Sequence, residues 1–201
     1  RISPTEKGKT DVKREYVLTT TEKYSQHKNR RNQLTTSYNV KQNRQPQKSN
    51  KHNNIGDKPD LNSVTPAATG EFKAGNGWQT VKFSAPQKGR YLAIECLSTQ
   101  DGKAQAAIAE LYLQGADGKR IAREPWTTKY ANSEQDNGNH YGDKVFDLQE
   151  STYWMTERNA SAPHLLVIDL GSVQTVSALE YLPRAEQGAP GAVKDYKIYV
   201  Y

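Results

Sequence analysis

Residues 165–170, Leu-Leu-Val-Ile-Asp-Leu, are apolar except for Asp169, and Gly171 ends the run. A run this short and continuous suits a strand buried on both faces, or nearly so. The segment before it has a different character. Lys144 to Thr156 is neither helical in period nor strictly alternating. It holds Asp147, Gln149, Ser151 and Thr152 beside Tyr153 and Trp154. Those groups suit an ordered loop that satisfies its own backbone, or an oxygen-lined cation site.

Other strand-like runs recur at short spacing from about Leu61 onward. Gly75-Asn76-Gly77 reads as a turn, and Trp78 to Phe83 then alternates, with Val81 and Phe83 on one face. A turn is expected at Pro86 to Gly89, followed by a strand over Arg90 to Leu97 with Leu92, Ile94 and Cys96 inward. Asp101-Gly102 turns the chain again, Ala106 to Leu113 alternates, and Gly115 to Gly118 closes that unit. After an irregular stretch come Leu165 to Leu170, Thr175 to Leu182 and Tyr196 to Tyr201. Short strands with frequent turns, and no amphipathic helix of useful length, predict an all-β sandwich whose chemistry sits in its loops.

Charge divides the chain differently. Residues 1–60 carry 14 basic and 6 acidic residues, a net of +8, whereas 61–201 carry 14 basic and 16 acidic, a net of −2. The basicity therefore belongs to a polar N-terminal segment, 1–62, with few large apolar residues. Within it only Tyr16 to Thr20 and Leu34 to Val40 read as strands; the rest buries too little to offset ordering entropy. It reads as a solvated extension or as a basic arm for a polyanion, but its aromatics are not interleaved with its charges as stacking on bases would need. Nucleic acid is accordingly not the expected partner. No apolar run approaches the roughly 18 residues of a membrane span. No signal peptide opens the chain and Arg1 is not a natural start, so a fragment or mature form is expected. The single cysteine, Cys96, excludes an internal disulfide and alternates with core positions as a buried, inert thiol would.

Enzymatic motifs are missing: there is no G-x-S-x-G, H-E-x-x-H, C-x-x-C or phosphate-cradling glycine loop. The four histidines, 27, 52, 140 and 164, are scattered. Glu134 with Asp136, or Glu150 with Glu157, are carboxylate pairs of the kind glycoside hydrolysis needs, and spacing does not place either pair across a sugar. Asn159-Ala160-Ser161 fits a glycosylation sequon, a pattern short enough to arise by chance.

Lys144 to Trp154, then Pro163 to Gly171, Tyr181-Leu182-Pro183-Arg184 and Lys194 to Val200 resemble, in order and spacing, the first half of the discoidin (coagulation-factor type C) family. Trp78 to Phe83, Gly89 to Leu92 and Ile108 to Leu111 resemble its second half. The order here is reversed, with 63–117 matching the second half and 118–201 the first. Either two tandem modules meet, or one jelly-roll β-sandwich has permuted halves. A sandwich lacking half its strands would expose core faces and open edges, which favours one shared sandwich over 63–201.

The resemblance implies a structural calcium ion held by oxygens: the carbonyls of Lys144 and Gln149, the Asp147 carboxylate, Thr152, the Ala109 carbonyl and the Glu110 carboxylate. Two carboxylates with neutral oxygens suit a hard cation. The alternative is that Asp147 only caps its loop. The family has glycine at the position of Leu148 and an acid or amide at that of Gln149, so the turn is tighter here. It also implies carbohydrate binding of galactose or another glycan, with candidates Trp126, Tyr130, Asn137, Asn139, His140, Tyr141, His164 and Arg184. A histidine common after the loop tryptophan is replaced by Met155. Trp154 reads as core, Met155 as filler, and Arg184 as a partner for Glu186 or Asp195. The expected function is a non-catalytic carbohydrate-binding module accessory to a secreted bacterial glycoside hydrolase, in the periplasm, outside the cell or on its surface. The alternatives are a structural or adhesion module that packs against neighbouring domains of its parent, and the basic-arm polyanion binder.

Overall fold

A computed structural model describes residues 56–201 and the backbone of two short strands nearer the N-terminus. Those two, β1 (Lys23–Lys28) and β2 (Leu34–Asn39), form an antiparallel hairpin with Lys28 opposite Leu34. The hairpin belongs to one compact unit, 1–48, and everything below belongs to a second, 49–201. The patch Tyr16 to Thr20 lies outside the described residues.

Two long strands dominate the second unit. β4 (Gln79–Cys96) and β9 (His164–Leu182) follow β3 (Ala68–Glu71) and run antiparallel from the pair Gln79–Tyr181 to the pair Cys96–His164. Shorter strands flank them. β6 (Glu110–Gly115) pairs with the C-terminal part of β9, and β7 (Thr127–Ala131) with its N-terminal part. β10 (Asp195–Val200) pairs with Leu92 to Cys96 of β4, and β3 closes that side against β10. β5 (Ala107–Ile108) and β8 (Trp154–Met155) form a small separate ladder. The fold is a curled antiparallel sheet, a discoidin-like β-sandwich.

Each long strand crosses a corner where the sequence suggests a break. The expected turn at Pro86 to Gly89 is instead a register shift between Lys82 and Gln87, and the strand resumes beyond it. Proline has no N–H for a ladder, so an unpaired stretch is where a strand can hold one. Leu165–Leu170 and Thr175–Leu182 are likewise one bent strand rather than two. Gly171 makes that corner with φ +81°, and a Cβ there would lie 2.7 Å from Pro125 Cβ. Arg90 holds the same corner from β4, donating to Asp169 at 2.8 and 2.9 Å. β3 and β7 carry no alternation strong enough to announce them in the sequence.

The apolar run at 165–170 is buried on both faces, as its composition predicts. Leu166, Ile168 and Leu170 point into the main core with Leu92, Ile94, Leu111, Leu113, Val176, Leu179, Trp154 and Ile198. Leu165 and Val167 point the other way into a second cluster with Ala93, Tyr130 and Tyr199, covered by Leu61 and Val64. Residues from 63–117 and from 118–201 therefore share one core, and β4 of the first part pairs with β9 of the second. Cys96 is buried there, and burial pushes its thiol well above the ordinary range.

Candidate functional site

Two neighbouring arrangements use the loops at 132–153 and 183–190. The first is the turn after the 3-10 helix Gly142–Phe146. Its centre is the Gln149 N–H, which donates to Asp147 Oδ1 at 3.0 Å and to Glu110 Oε1 at 2.9 Å. The Thr152 hydroxyl lies 2.8 and 2.9 Å from the two Asp147 oxygens and 3.0 Å from the Gln149 carbonyl. Glu110, at the start of β6, is buried and ion-paired to the buried Arg123, which also donates to the Leu111 carbonyl at 2.9 Å. Burial raises the Glu110 carboxyl above its ordinary value, Arg123 opposes this and Asp147 adds to it. Lys144 Nζ stands 3.7 Å from Asp147 Oδ2, and Ala109, just before β6, donates its N–H to Leu182 O at 2.9 Å.

The oxygen types are those a hard cation takes: the Asp147 carboxylate, the Thr152 hydroxyl and the Gln149 carbonyl meet at the turn, while Glu110 joins them through the Gln149 N–H and is paired to Arg123. Among the described residues no cluster of three or more His, Cys, Asp or Glu exists, so such an ion would depend on neutral oxygens. Leu148 keeps the turn tight at φ 68°, a conformation that favours glycine, with its side chain 70% exposed.

The second arrangement is a stack. Tyr153 lies between His140 and Arg184, its ring centroid 4.1 Å from the imidazole at 14° and 4.0 Å from the guanidinium carbon. Arg184 pairs with Glu186 at 2.6 Å, and its buried Nε has no partner. Asn139 is exposed with φ 58°, and Tyr141 is half-buried beside His140. His140 is held below its ordinary pKa by burial and by Arg184. Gly138 is required there, since a Cβ would sit 2.5 Å from His140 Nε2.

The structure separates the carbohydrate candidates. His140, Tyr141, Asn139 and Arg184 come together, with exposed Asn137 on the same loop. Trp126, Tyr130 and His164 do not offer a surface. Trp126 is 4% exposed and packs edge-on against Phe146; Tyr130 fills the outer cluster; His164 is buried with Nε2 on the Ala104 carbonyl. Each lies on or beside a strand whose inner or covered face takes it out of solvent. Trp154 is core, donating its indole N–H to Ser133 O at 3.1 Å, and Met155 is buried. Glu134, one of the imagined glycosidase carboxylates, is buried too.

Sequence reasoning missed the residues that brace these loops. Tyr112 is clasped by two guanidinium groups, Arg120 at 3.7 Å and Arg123 at 3.5 Å, and Arg120 is ion-paired to Glu180. Trp78 donates to Glu150 at 3.2 Å, tying the start of β4 to the loop. No local pattern marks these residues, because their partners arrive from distant parts of the chain.

These features define a β-sandwich module whose polar groups gather in its loops. Residues 128–201 match the family model described as F5/8 type C domain. Modules of this kind are generally non-catalytic and often bind carbohydrate or phospholipid. The matched stretch includes most of β7, the turn after the 3-10 helix, β8, β9 and β10, and leaves out 63–117. No curated protein matches the chain. Among the described residues no helix is long and apolar enough to cross a membrane.

Proposed function

We propose that residues 63–201 form a non-catalytic carbohydrate-binding module, its two parts being permuted halves of one discoidin-type sandwich. The observation that carries this is the His140–Tyr153–Arg184 stack, which brings the 132–153 and 183–190 loops to one place. A guanidinium stacked on an aromatic face, with Asn139 and Tyr141 adjacent, gathers the polar groups that hydrogen-bond a sugar ring. The Glu110, Asp147, Gln149 and Thr152 oxygens, with the carbonyls of Lys144 and Ala109, would hold a structural calcium ion, which would clamp the loop to β6 and take no part in chemistry. As an accessory module it would belong to a secreted or surface glycoside hydrolase, whose neighbouring domains would be its other partners.

A second reading rests on a specific observation: both faces of Tyr153 are already covered, so the stack also suits a module that packs against a neighbour and binds no sugar. A glycan array probed with the folded chain, with and without calcium, tests the two. Binding to a defined glycan that Arg184→Ala weakens at least tenfold, with unfolding temperature nearly unchanged, supports the carbohydrate reading. No binding to any glycan, or equal binding by Arg184→Ala, overturns it.

A further inference from the structure

Three glutamates are buried among the described residues: Glu110, Glu134 and Glu180. Glu110 has Arg123 and Glu180 has Arg120. Glu134 has no cation. Its printed partner is a backbone group, the N–H of Gly142, at 2.6 Å. The charged groups that face it are like charges, Asp136 on the following loop and Asp143 on the 3-10 helix, and the Tyr141 hydroxyl feels all three.

The placement of that one bond is informative. Glu134 and Gly142 are the two ends of the loop that presents Asn139, His140 and Tyr141. The loop is closed inside by His140 N–H on Gln135 O and by Asn139 N–H on Asp136 O, both at 3.1 Å. Gly142 is itself wedged, since a Cβ would meet Leu166 Cδ1 and Thr128 Cγ2 at 2.8 Å. The Glu134–Gly142 bond thus fastens the two ends of this loop together at a crowded point on the sandwich.

We propose that Glu134 is a positioning residue for the His140–Tyr141 loop and acts as a proton-controlled latch on it. In the protonated state the acid's carbonyl oxygen accepts the Gly142 N–H without burying a charge. In the ionised state a buried carboxylate faces two other acids with no counter-cation, and opening the loop to water relieves it. Burial first, then Asp143 and Asp136, push the Glu134 carboxyl up to about 7, against the bond from Gly142. The folded value is above the unfolded one. The latch is therefore fully closed below the ordinary glutamate range and loosens as pH rises through about 7. The latch itself does not need the carbohydrate reading; only its consequence for binding rests on that reading.

The test follows Gly142 and Glu134 directly. Amide exchange at Gly142 and the Glu134 side-chain carbon resonance are followed by NMR in the isotope-labelled chain from pH 5 to 9, for the wild type and Glu134→Gln. The carboxyl should titrate near neutrality. Gly142 protection, corrected for intrinsic base catalysis, should fall about tenfold between pH 6 and 8. Glu134→Gln, which keeps an acceptor and cannot ionise, should hold its protection across the range. A carboxyl midpoint below 5, or the same pH dependence in both proteins, overturns the latch. Glycan affinity measured on the same samples should fall with the same midpoint and be flat in Glu134→Gln. A chain that binds no glycan at any pH but shows the Gly142 titration retires the carbohydrate reading and leaves the latch standing.

Discussion

Glu110 and Asp147 accept the same backbone N–H, that of Gln149, although they lie in strands and loops far apart in the chain. Glu110 also pairs with Arg123, and Asp147 accepts the Thr152 hydroxyl with Lys144 Nζ 3.7 Å away, so the two acids meet at one N–H with part of their oxygen surface already engaged. The calcium proposal needs an ion to compete with those cationic side chains, and it generates the first prediction. Calcium added to chelator-treated protein should stabilise it, by about 2.7 kcal/mol at a hundredfold excess over the dissociation constant. Asp147→Asn or Thr152→Ala should abolish the gain while Arg184→Ala keeps it. Thermal unfolding followed by circular dichroism reads this, and an identical unfolding temperature with calcium and with chelator would remove the ion from the account.

Leu148 occupies the left-handed region with its side chain in solvent. A branched side chain there costs roughly 1–2 kcal/mol, and glycine avoids that cost at the expense of about 0.5–1 kcal/mol of chain entropy. Leu148→Gly should therefore be neutral to stabilising by up to about 1 kcal/mol, unlike most leucine-to-glycine changes. Urea unfolding of the two proteins checks it; a loss of 2 kcal/mol or more would mean that the side chain packs against something in solution.

Tyr181 is buried in the main core, and its hydroxyl oxygen accepts the Val193 N–H at 2.9 Å. Tyr181→Phe keeps the ring, which stacks on Phe72 at 4.0 Å, and strands that N–H. The expected loss is about 1–3 kcal/mol, the desolvation cost of one unsatisfied buried donor. Chemical denaturation measures it, and hydrogen exchange at Val193 should rise in parallel.

His164 gives a pH dependence opposite in sign to that of Glu134. Burial holds its imidazole below the ordinary value, while the Ala104 carbonyl opposes this. Its folded pKa is below the unfolded one, so its neutral form contributes stability that is present above about 6.5 and lost as pH falls. The wild type should unfold at lower denaturant at pH 5 than His164→Gln does relative to their difference at pH 8. Parallel curves for the two proteins across that range would show that His164 does not control acid stability.

Much of the sandwich was legible because apolar spacing is a local property. Leu92, Ile94 and Cys96, or Leu111 and Leu113, alternate whatever else the chain does, and the run at 165–170 needs cover on both sides wherever it lies. The turn at 147–152 was legible for a similar reason: Asp147, Gln149 and Thr152 sit close enough in sequence to meet through one turn. The corners were misread because glycine and proline mark both chain reversals and bends within a strand, and only the pairing of β4 with β9 tells these apart.

The sequence by itself determined the class of fold, the inward faces of its main strands and the polar character of its loops, since each follows from composition and period over a few residues. Tertiary structure alone decided that Glu110 reaches Asp147, that Tyr153 lies between His140 and Arg184, that Trp126, Tyr130 and His164 are buried, and that Glu134 has no counter-ion. Those outcomes depend on which distant segments the curled sheet brings together, and burial and charge pairing exist only once it has done so.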